Sequence, residues 1–488
     1  LSSPIWTAFT QIFANIWGLV APDQPERAAD LSAASSSVTH DGNGIFGGRY
    51  IAALTSLAFS ENDTRRLVER GLAVIPKDCE YARVVQAMLD FHAQNPDDWH
   101  SAFAYLKENF GYHLYPGMVH IIPNAGVVVL GLLYGNGDFS RTIQITNMAG
   151  WDTDCNVGNV GAILGVMVGV EGIDAHWIEP NNDLVITASL IGTRNILTIT
   201  QCADILAQAG YKLNGQALPK KPRYHFEYAG ATGNFLADGE RGRPIHLSQT
   251  IVDDTPTLKV SIRKLNKKGE IRIYTRTSYR PSELISNYYG AMFTPLIFPG
   301  QTVTATLYVP SDAPQDLKAG LFVYDDSHDA YHYAEGAPLT PGTWHTLRYD
   351  IPELTDACLS QVGIALRNVG ADWVVGSVAI RDLDWRGVPT FDTTFARERE
   401  ESGAISQWTY LRGHWRLEEG GYHGSGPGIN ETYTGDIDWA DYVMSAQVSP
   451  VVGEHHLINA RVQGALRSYA FGLTPDNTIT LYKNEGQY

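Results

Sequence analysis

Hydrophobic positions recur at helical spacing through the first part of the chain and at a spacing of two through the rest. Ile5, Phe9, Ile12, Phe13, Ile16 and Trp17 fall on one stripe and predict an opening helix. Pro22 and Pro25 punctuate a loop, and residues 26–35 resume helical spacing with Pro25 just before the first turn. Residues 47–59 predict a buried helix with Ile51, Leu54, Leu57 and Ala58 on its apolar side. Asp63-Thr64 reads as the cap of a helix over 65–72, and further helices are expected over 81–95 and 99–109. Asp97-Asp98 imitates an acid pair, but acids at a first helical turn are ordinary capping residues. Residues 124–135 hold almost no polar groups, so this helix is expected at the centre. Residues 157–170 carry Gly158, Gly161, Ala162, Gly165 and Gly169 at spacings of three and four. That predicts a buried helix with one face free of bulk, against which another helix packs closely. The chain then stays helical with breaks at Pro180 and Gly192, and 196–210 form an amphipathic helix ending at a glycine.

Asn214-Gly215-Gln216-Ala217-Leu218-Pro219 onward to Pro222 is a linker by composition. From Tyr224 the period changes. Leu258-Lys259-Val260-Ser261-Ile262, Glu270-Ile271-Arg272-Ile273-Tyr274 and Thr302-Val303-Thr304-Ala305 alternate strictly, separated by turn pairs such as Pro299-Gly300 and Pro341-Gly342. Residues 344–352 and 376–385 resemble the last strands of a carbohydrate-binding-type jelly roll. From Pro389 a further all-β unit follows, with Trp408, Trp415, the alternating run 442–448 and Tyr469-Ala470-Phe471. It looks like a laminin-G or concanavalin-like sandwich with about half its strands, and half a sandwich leaves an open core. The expected fold class is therefore multidomain: an all-α domain over 1–215, a linker over 216–223, a β-sandwich over 224–388, and a partial β-sandwich over 389–488.

Composition narrows the classes. A chain of 488 residues, 44% hydrophobic and 18% charged, suits several folded domains rather than disorder. A net charge of -17 without a Lys/Arg-rich block argues against a nucleic-acid partner. The longest apolar run, 157–170, is too short and too glycine-rich to span a bilayer. Cys79, Cys155, Cys202 and Cys358 form no C-x-x-C pair, so neither a disulfide framework nor a thiolate cluster is expected. This suits a reducing compartment, although a large secreted chain can also lack disulfides, so cytoplasmic and secreted locations both stay open. Residues 1–20 are amphipathic and lack a basic start, which is not a signal peptide. The chain opens on Leu1 in what reads as mid-domain, so an N-terminal segment is expected to precede it; for the half-sandwich the C-terminus is expected to be truncated as well, or the remainder to be disordered or in another fragment.

The candidate chemistry lies in Asn147-Met148-Ala149-Gly150-Trp151-Asp152-Thr153-Asp154-Cys155-Asn156. Asp152 and Asp154 flank one residue just after a glycine, at the start of the glycine-bearing helix. One reading is simple capping. The other is a hard-metal site, because two carboxylates on a tight turn can face one point and Mg²⁺ or Mn²⁺ takes oxygen ligands. Two other stretches are candidates for a pocket. Thr39-His40-Asp41-Gly42-Asn43-Gly44 is polar and flexible between helices, and His40 is either a satisfied loop histidine or a pocket residue. Residues 110–122 are irregular and aromatic, with Tyr112, His113, Tyr115, Pro116 and His120, and suit either a cleft lining or ordinary packing. Asp253-Asp254-Thr255 also imitates a metal motif, but its β context makes it a decoy.

The string from Gly150 to Asn156, with Gly158, Gly161-Ala162 and Leu164-Gly165 behind it, closely resembles the C-terminal metal motif of the ADP-ribosylglycohydrolase family. Pro123-Asn124-Ala125 with Leu132-Leu133-Tyr134-Gly135-Asn136-Gly137-Asp138-Phe139 looks like that family's preceding helix pair, and the segment from Ser37 to Gly44 resembles its Thr-His segment. The resemblance covers residues 1–215. It implies an all-helical bundle with two Mg²⁺ or Mn²⁺ ions at its mouth, one held by an N-terminal Thr-Asp-Asp segment and the other by Asp152, Asp154 and Cys155. The ions would hold ribose hydroxyls and polarise the scissile C1″ bond. Substrate contacts are expected from His40, Asn43, Tyr115, Asn124, Trp151 and Asn156, and no catalytic acid or base is assigned. The chain departs from the pattern in lacking a clear Thr-Asp-Asp, a matching upstream carboxylate and a hydroxyl residue at Cys155. A two-ion site is thus expected only where the N-terminal ligands are supplied. A thiol is a poor partner for Mg²⁺, so either Asn156 compensates or that ligand is lost. The expected activity is metal-dependent glycosidic hydrolysis of a small-molecule or glycan substrate. The alternative is a carbohydrate-directed protein whose β-sandwiches bind glycan and whose helical domain acts on another sugar or is inactive.

Overall fold

The computed structural model describes residues 9–117, 119–239, 245–284, 292–313, 316–464 and 467–486; Ile5 of the first predicted stripe and Tyr488 lie outside them. Contacts divide the chain into two units, Leu1–Pro180 with Cys202–Lys220, and Asn181–Gln201 with Lys221–Tyr488.

The first unit is helical: α1 (Phe9–Ile12), α2 (Asn15–Leu19), α3 (Pro25–Ser36), α4 (Gly42–Leu57), α5 (Thr64–Gly71), α6 (Glu80–Gln94), α7 (Trp99–Phe110), α8 (Ile121–Gly135), α9 (Phe139–Met148), α10 (Thr153–Val168), α11 (Ala175–Ile178) and α12 (Ile199–Leu213), the last shared across the unit boundary. Capping follows the sequence signals. Asp63 accepts the Arg66 N–H at 3.0 Å, Asp98 that of Ser101 at 3.0 Å and Asp138 that of Arg141 at 2.7 Å. Asn136 ends α8 in the left-handed region. Every residue of α8 is buried, so it forms the axis around which the other helices pack. The polar stretch 39–44 is not wholly loop, because α4 already begins at Gly42. Residues 139–148, read as a lead into the acidic motif, form α9.

The glycine expectation for α10 needs correction. Its buried side is Asn156, Asn159, Val160, Ile163 and Leu164. A Cβ at Gly158 would meet nothing within 4 Å, and one at Gly165 only Ile173 at 3.9 Å. The close approach falls instead between α8 and α9, where a Cβ on Gly131 would lie 2.1 Å from Thr146 Oγ1. Small-residue spacing marks a face but not its direction, and burying Val160, Ile163 and Leu164 removes more apolar area from water.

The second unit is antiparallel β. A short pair, β1 (Leu184–Ile186) and β2 (Ile196–Thr198), precedes the sandwich and belongs to this unit, not to the helical one. Three-residue strands carry too little period to be read from sequence. Asp183 fixes the segment: its buried carboxylate accepts N–H groups of Thr200 at 3.0 Å and Gly233 at 2.8 Å. The sandwich strands are β3 (Tyr224–His225), β4 (Leu236–Asp238), β5 (His246–Val252), β6 (Thr255–Asn266), β7 (Glu270–Arg276), β8 (Thr302–Val309), β9 (Leu317–Asp325), β10 (Ala330–Tyr333), β11 (Ala337–Pro338), β12 (Thr343–Asp350), β13 (Leu359–Asn368) and β14 (Trp373–Arg386). One sheet runs β10-β9-β13-β7-β4 with β11 on β9, and the other β12-β8-β14-β6-β5 with β3 on β14. Alternation sends Ile271, Ile273, Leu321, Val323, Val362 and Ile364 of one sheet against Val260, Val303, Leu307 and Val378 of the other. Asp253 and Asp254 form the two-residue β5–β6 turn with φ of 48° and 59°, which explains the decoy as a hairpin turn. Beyond Val388 the chain continues in small antiparallel pairs and one three-stranded sheet of His456–Ala460, Arg467–Leu473 and Ile479–Glu485. The alternating run 442–448 forms no strand; it has no partner ladder, and alternation alone does not hold an extended segment. Among the described residues no helix is long and apolar enough to cross a membrane.

One buried carboxyl gives the β unit a pH signature. Glu398 accepts the Ser406 hydroxyl at 2.6 Å and the Gln407 amide at 2.8 Å, and burial pushes its pKa from 4.5 up to about 7. The folded unit therefore holds this proton where the unfolded chain releases it. The associated stability is present below about pH 4.5 and is lost as pH rises through about 7. Calorimetry from pH 5 to 8 should show the β-unit Tm falling, and Glu398→Gln should flatten that slope; an unchanged slope in the variant assigns it to other groups.

Candidate active site

The site is built at the junction of α9 and α10. Gly150, at φ 73°, turns the chain, and Asp152 follows in the left-handed region at φ 44° and ψ 55°. Its main-chain carbonyl accepts the Asn156 N–H at 3.0 Å, while its side chain makes no capping bond. The carboxylate is held from the other side, by Asn124 Nδ2 of α8 at 3.1 Å. Asn124 Oδ1 in turn accepts the Tyr112 hydroxyl at 2.6 Å and Asn156 Nδ2 at 3.2 Å. Asn156 Nδ2 also donates to the Trp151 carbonyl at 2.6 Å, and its Oδ1 is buried with no hydrogen-bond partner.

Asp152, Asp154 and Cys155 each offer a ligand atom, and these lie within 4.8 Å of one another. Burial pushes the Asp152 carboxyl above its ordinary range; a bond from Cys155 opposes this, and the Asp154 charge adds to it. Burial and the Asp152 carboxylate together push the Cys155 thiol up to about 12, so at neutral pH it is a neutral S–H donor. Among the described residues neither Asp152 nor Asp154 pairs with a Lys or Arg. Two carboxylates, close together and paired with no Lys or Arg among the described residues, form a donor pair that fits a hard divalent ion. Trp151 closes one side, with its ring 5.0 Å from both Phe103 and Tyr112.

The remaining candidates gather elsewhere. Asn43 is buried and accepts the Tyr81 N–H at 3.0 Å, tying α4 to the start of α6. Tyr115 donates to Glu80 at 2.6 Å and stacks on His120 at 4.7 Å. His120 caps α8 one turn before Asn124, which joins this cluster to the acidic one through the first turns of a single helix. His40 contacts Thr39 at 2.7 Å, and burial lowers its pKa against the opposing charge of Asp41. Tyr112, Glu80 and Phe103 were not singled out as site residues; Tyr112 lay in the aromatic stretch already marked, while Glu80 and Phe103 gave no sequence signal.

Residues 10–211 match the family model for ADP-ribosylglycohydrolase. The helical region is an ADP-ribosylglycohydrolase family domain. No curated protein matches the chain. Solved structures similar to the β region include a carbohydrate-binding module of the β-sandwich superfamily, at 16% identity, 35% of this chain, 64% of that one and a TM-score of 0.26. That match spans less than two thirds of the other chain. The CBM22-1 xylan-binding domain of Paenibacillus barcinonensis Xyn10C is similar at 13% identity, with 36% and 99% covered and a TM-score of 0.23. A CBM61 module in complex with β-1,4-galactotriose is similar at 9% identity, with 34% and 92% covered and a TM-score of 0.21.

The bond from Asn124 generates a prediction in this ADP-ribosylglycohydrolase domain. Asn124→Asp places a second carboxylate beside Asp152 and removes a donor, at a cost on the order of 2 kcal/mol. The helical-unit Tm should fall by several degrees, and millimolar Mn²⁺ should restore part of it. A variant as stable as the parent, or one blind to Mn²⁺, contradicts the account of Asp152.

Proposed function

We propose that the helical unit is a metal-dependent hydrolase of a glycosidic bond, with an ADP-ribosyl group as substrate. The observation that carries this reading is the approach of Asp152, Asp154 and Cys155 within 4.8 Å, with no Lys or Arg paired to the acids among the described residues. Asp152 and Asp154 would hold Mg²⁺ or Mn²⁺, with Cys155 at the third corner as a thiol that donates to Asp152. A bound divalent ion supplies a charge that orients ribose hydroxyls and favours departure at C1″. The chain's own residues do the rest. Asn124 fixes one Asp152 oxygen, so the carboxylate presents its other lone pairs in one direction. Tyr112 fixes Asn124, and the Trp151 and Phe103 rings cover the flank and keep water from that side. Asp154 is exposed and faces the open side. The second ion implied by the family would need further donors, because no other cluster of three such groups occurs among the described residues.

For the β unit we propose carbohydrate recognition. What supports it is the row of outward tyrosines Tyr324, Tyr331 and Tyr333 on one sheet, since ring faces suit the C–H faces of sugars.

The test pairs Mn²⁺ titration with release of ADP-ribose from an ADP-ribosylated peptide. The parent protein should bind Mn²⁺ and release ADP-ribose. Asp152→Asn and Asp154→Asn should lower release on the order of a hundredfold and weaken Mn²⁺ binding about tenfold or more. Cleavage of an oligosaccharide panel with the peptide untouched would replace ADP-ribose by another sugar, and Mn²⁺ binding unaffected by both substitutions would remove the metal site.

A further inference from the structure

We infer that the outer face of the β10-β9-β13-β7 sheet binds an acidic, uronate-bearing oligosaccharide; this rests on the carbohydrate-recognition reading of the β unit. The register sets the face. Leu321, Val323, Val362, Ile364, Ile271 and Ile273 point into the sandwich core, so the alternate residues point out. Across the outer face Tyr333, Phe322, Gly363 and Tyr274 lie in one row. Tyr331 is paired with Tyr324 in a neighbouring row, and Gly320, Ala365 and Arg272 make a third. The middle of the sheet thus carries Gly320, Gly363 and Ala365, which have little or no side chain. The rings come from the edge strand β10 and its neighbour β9 and form a shelf, with Tyr324–Tyr331 centroids 4.7 Å apart and Tyr331–Tyr333 stacked at 5.9 Å.

Guanidinium groups lie on that shelf. Arg272 sits 4.1 Å from the Tyr331 centroid and Arg367 4.6 Å from that of Tyr333. Arg367 is neutralised by Glu270 at 2.6 Å, and Arg276 by Glu283 at 2.8 Å. Arg272 is not matched in the same way. Its approach to Glu270 is 3.8 Å, to a carboxylate already bonded to Arg367. Asp238, opposite Arg272 in the register, forms no ion pair with it among the described residues. Lys318, on the same face, is in no ion pair among them either. Arg272, stacked on Tyr331 and 3.8 Å from a carboxylate that Arg367 already holds, and Lys318, in no ion pair among the described residues, place positive charge beside half-buried rings on a face that also carries Glu270 and Asp238. A stacked guanidinium keeps its N–H edge in the plane of the stack, where it can grip a carboxylate with two parallel bonds. A ring face for the sugar and a fork for its acid group, side by side, match a uronate unit better than a neutral one.

Calorimetric titration of the full chain with galacturonate, guluronate and hyaluronan hexamers, and with xylohexaose as the neutral comparator, tests this. At least one acidic hexamer should bind more tightly than xylohexaose, with affinity falling as salt is raised. Arg272→Gln and Tyr331→Ala should each weaken it about tenfold or more, while Trp373→Ala on the other sheet should change it less than about twofold. Tm values check folding, and if Tyr331→Ala does not fold then Arg272→Gln decides alone. Binding of xylohexaose only overturns the acidic-ligand inference and leaves carbohydrate recognition standing. No binding of any hexamer overturns both, and acidic binding indifferent to Arg272→Gln overturns the placement on this face.

Discussion

In the helical unit six of the described helices have an aspartate at the N-cap, and only three of those side chains cap in the ordinary way. Asp63, Asp98 and Asp138 each accept a main-chain N–H three residues on, which is the ordinary service of an N-cap. Asp41, Asp152 and Asp174 make no such bond, and of these three only Asp152 stands in the left-handed region. The conformation costs on the order of 1 kcal/mol and the missing cap about as much again. A charge-assisted bond from Asn124, with about 1.5–3 kcal/mol typical of its kind, offsets them. What the helix gains is a carboxylate turned away from its own amides and toward Asp154 and Cys155. The whole donor cluster follows from that one residue's φ and ψ.

Such a carboxylate is useful only if Asn124 does not move. Asn124 lies in the first turns of α8, whose every residue is buried, and its side chain is bonded at both ends. The two glycines of α8 that face α9 let the helices approach to where a methyl group would collide with Thr142 or Thr146. α9 runs directly into the Gly150 turn. Packing of α8 against α9 therefore sets both sides of the Asn124–Asp152 bond: one helix carries the amide, and the other delivers the acid. Close packing resists small displacements, so the geometry of the site is inherited from the core.

Much of this was legible. Asp152 and Asp154 stand out in the sequence as two acids at the start of a helix, whereas Cys155, Asn124, Trp151 and Asn156 enter through the family resemblance, the last three as substrate contacts; in the structure Asn124 bonds Asp152 and Asn156 bonds Asn124. Tertiary direction was not legible. Gly158, Gly161 and Gly165 recur at helical spacing as packing glycines do, yet only Gly161 faces a core side chain, Ile143 at 3.4 Å, while a Cβ at Gly158 would meet nothing within 4 Å and one at Gly165 only Ile173 at 3.9 Å. Asn43 was a candidate for substrate contact, and it is a long-range cap for α6, a role that depends on a neighbour 38 residues away in sequence. The pair β1–β2 was missed because three residues hold no readable period.

Asp253-Asp254-Thr255 and Asp152-Thr153-Asp154 show why context outweighs composition. Both stretches place an aspartate at positive φ, which Asp tolerates better than most residues. In the hairpin both turn residues are left-handed and antiparallel strands leave on either side, so the chain reverses and no helix dipole stands behind the acids. At Asp152 only one residue is left-handed. The next enters a helix of 16 residues, and Asp154 and Cys155 follow on its first turn within reach of the same point. Alternation on one flank and helical spacing on the other distinguish the two before any coordinates are known, since the flanks decide whether neighbouring acids converge or are carried apart along a strand.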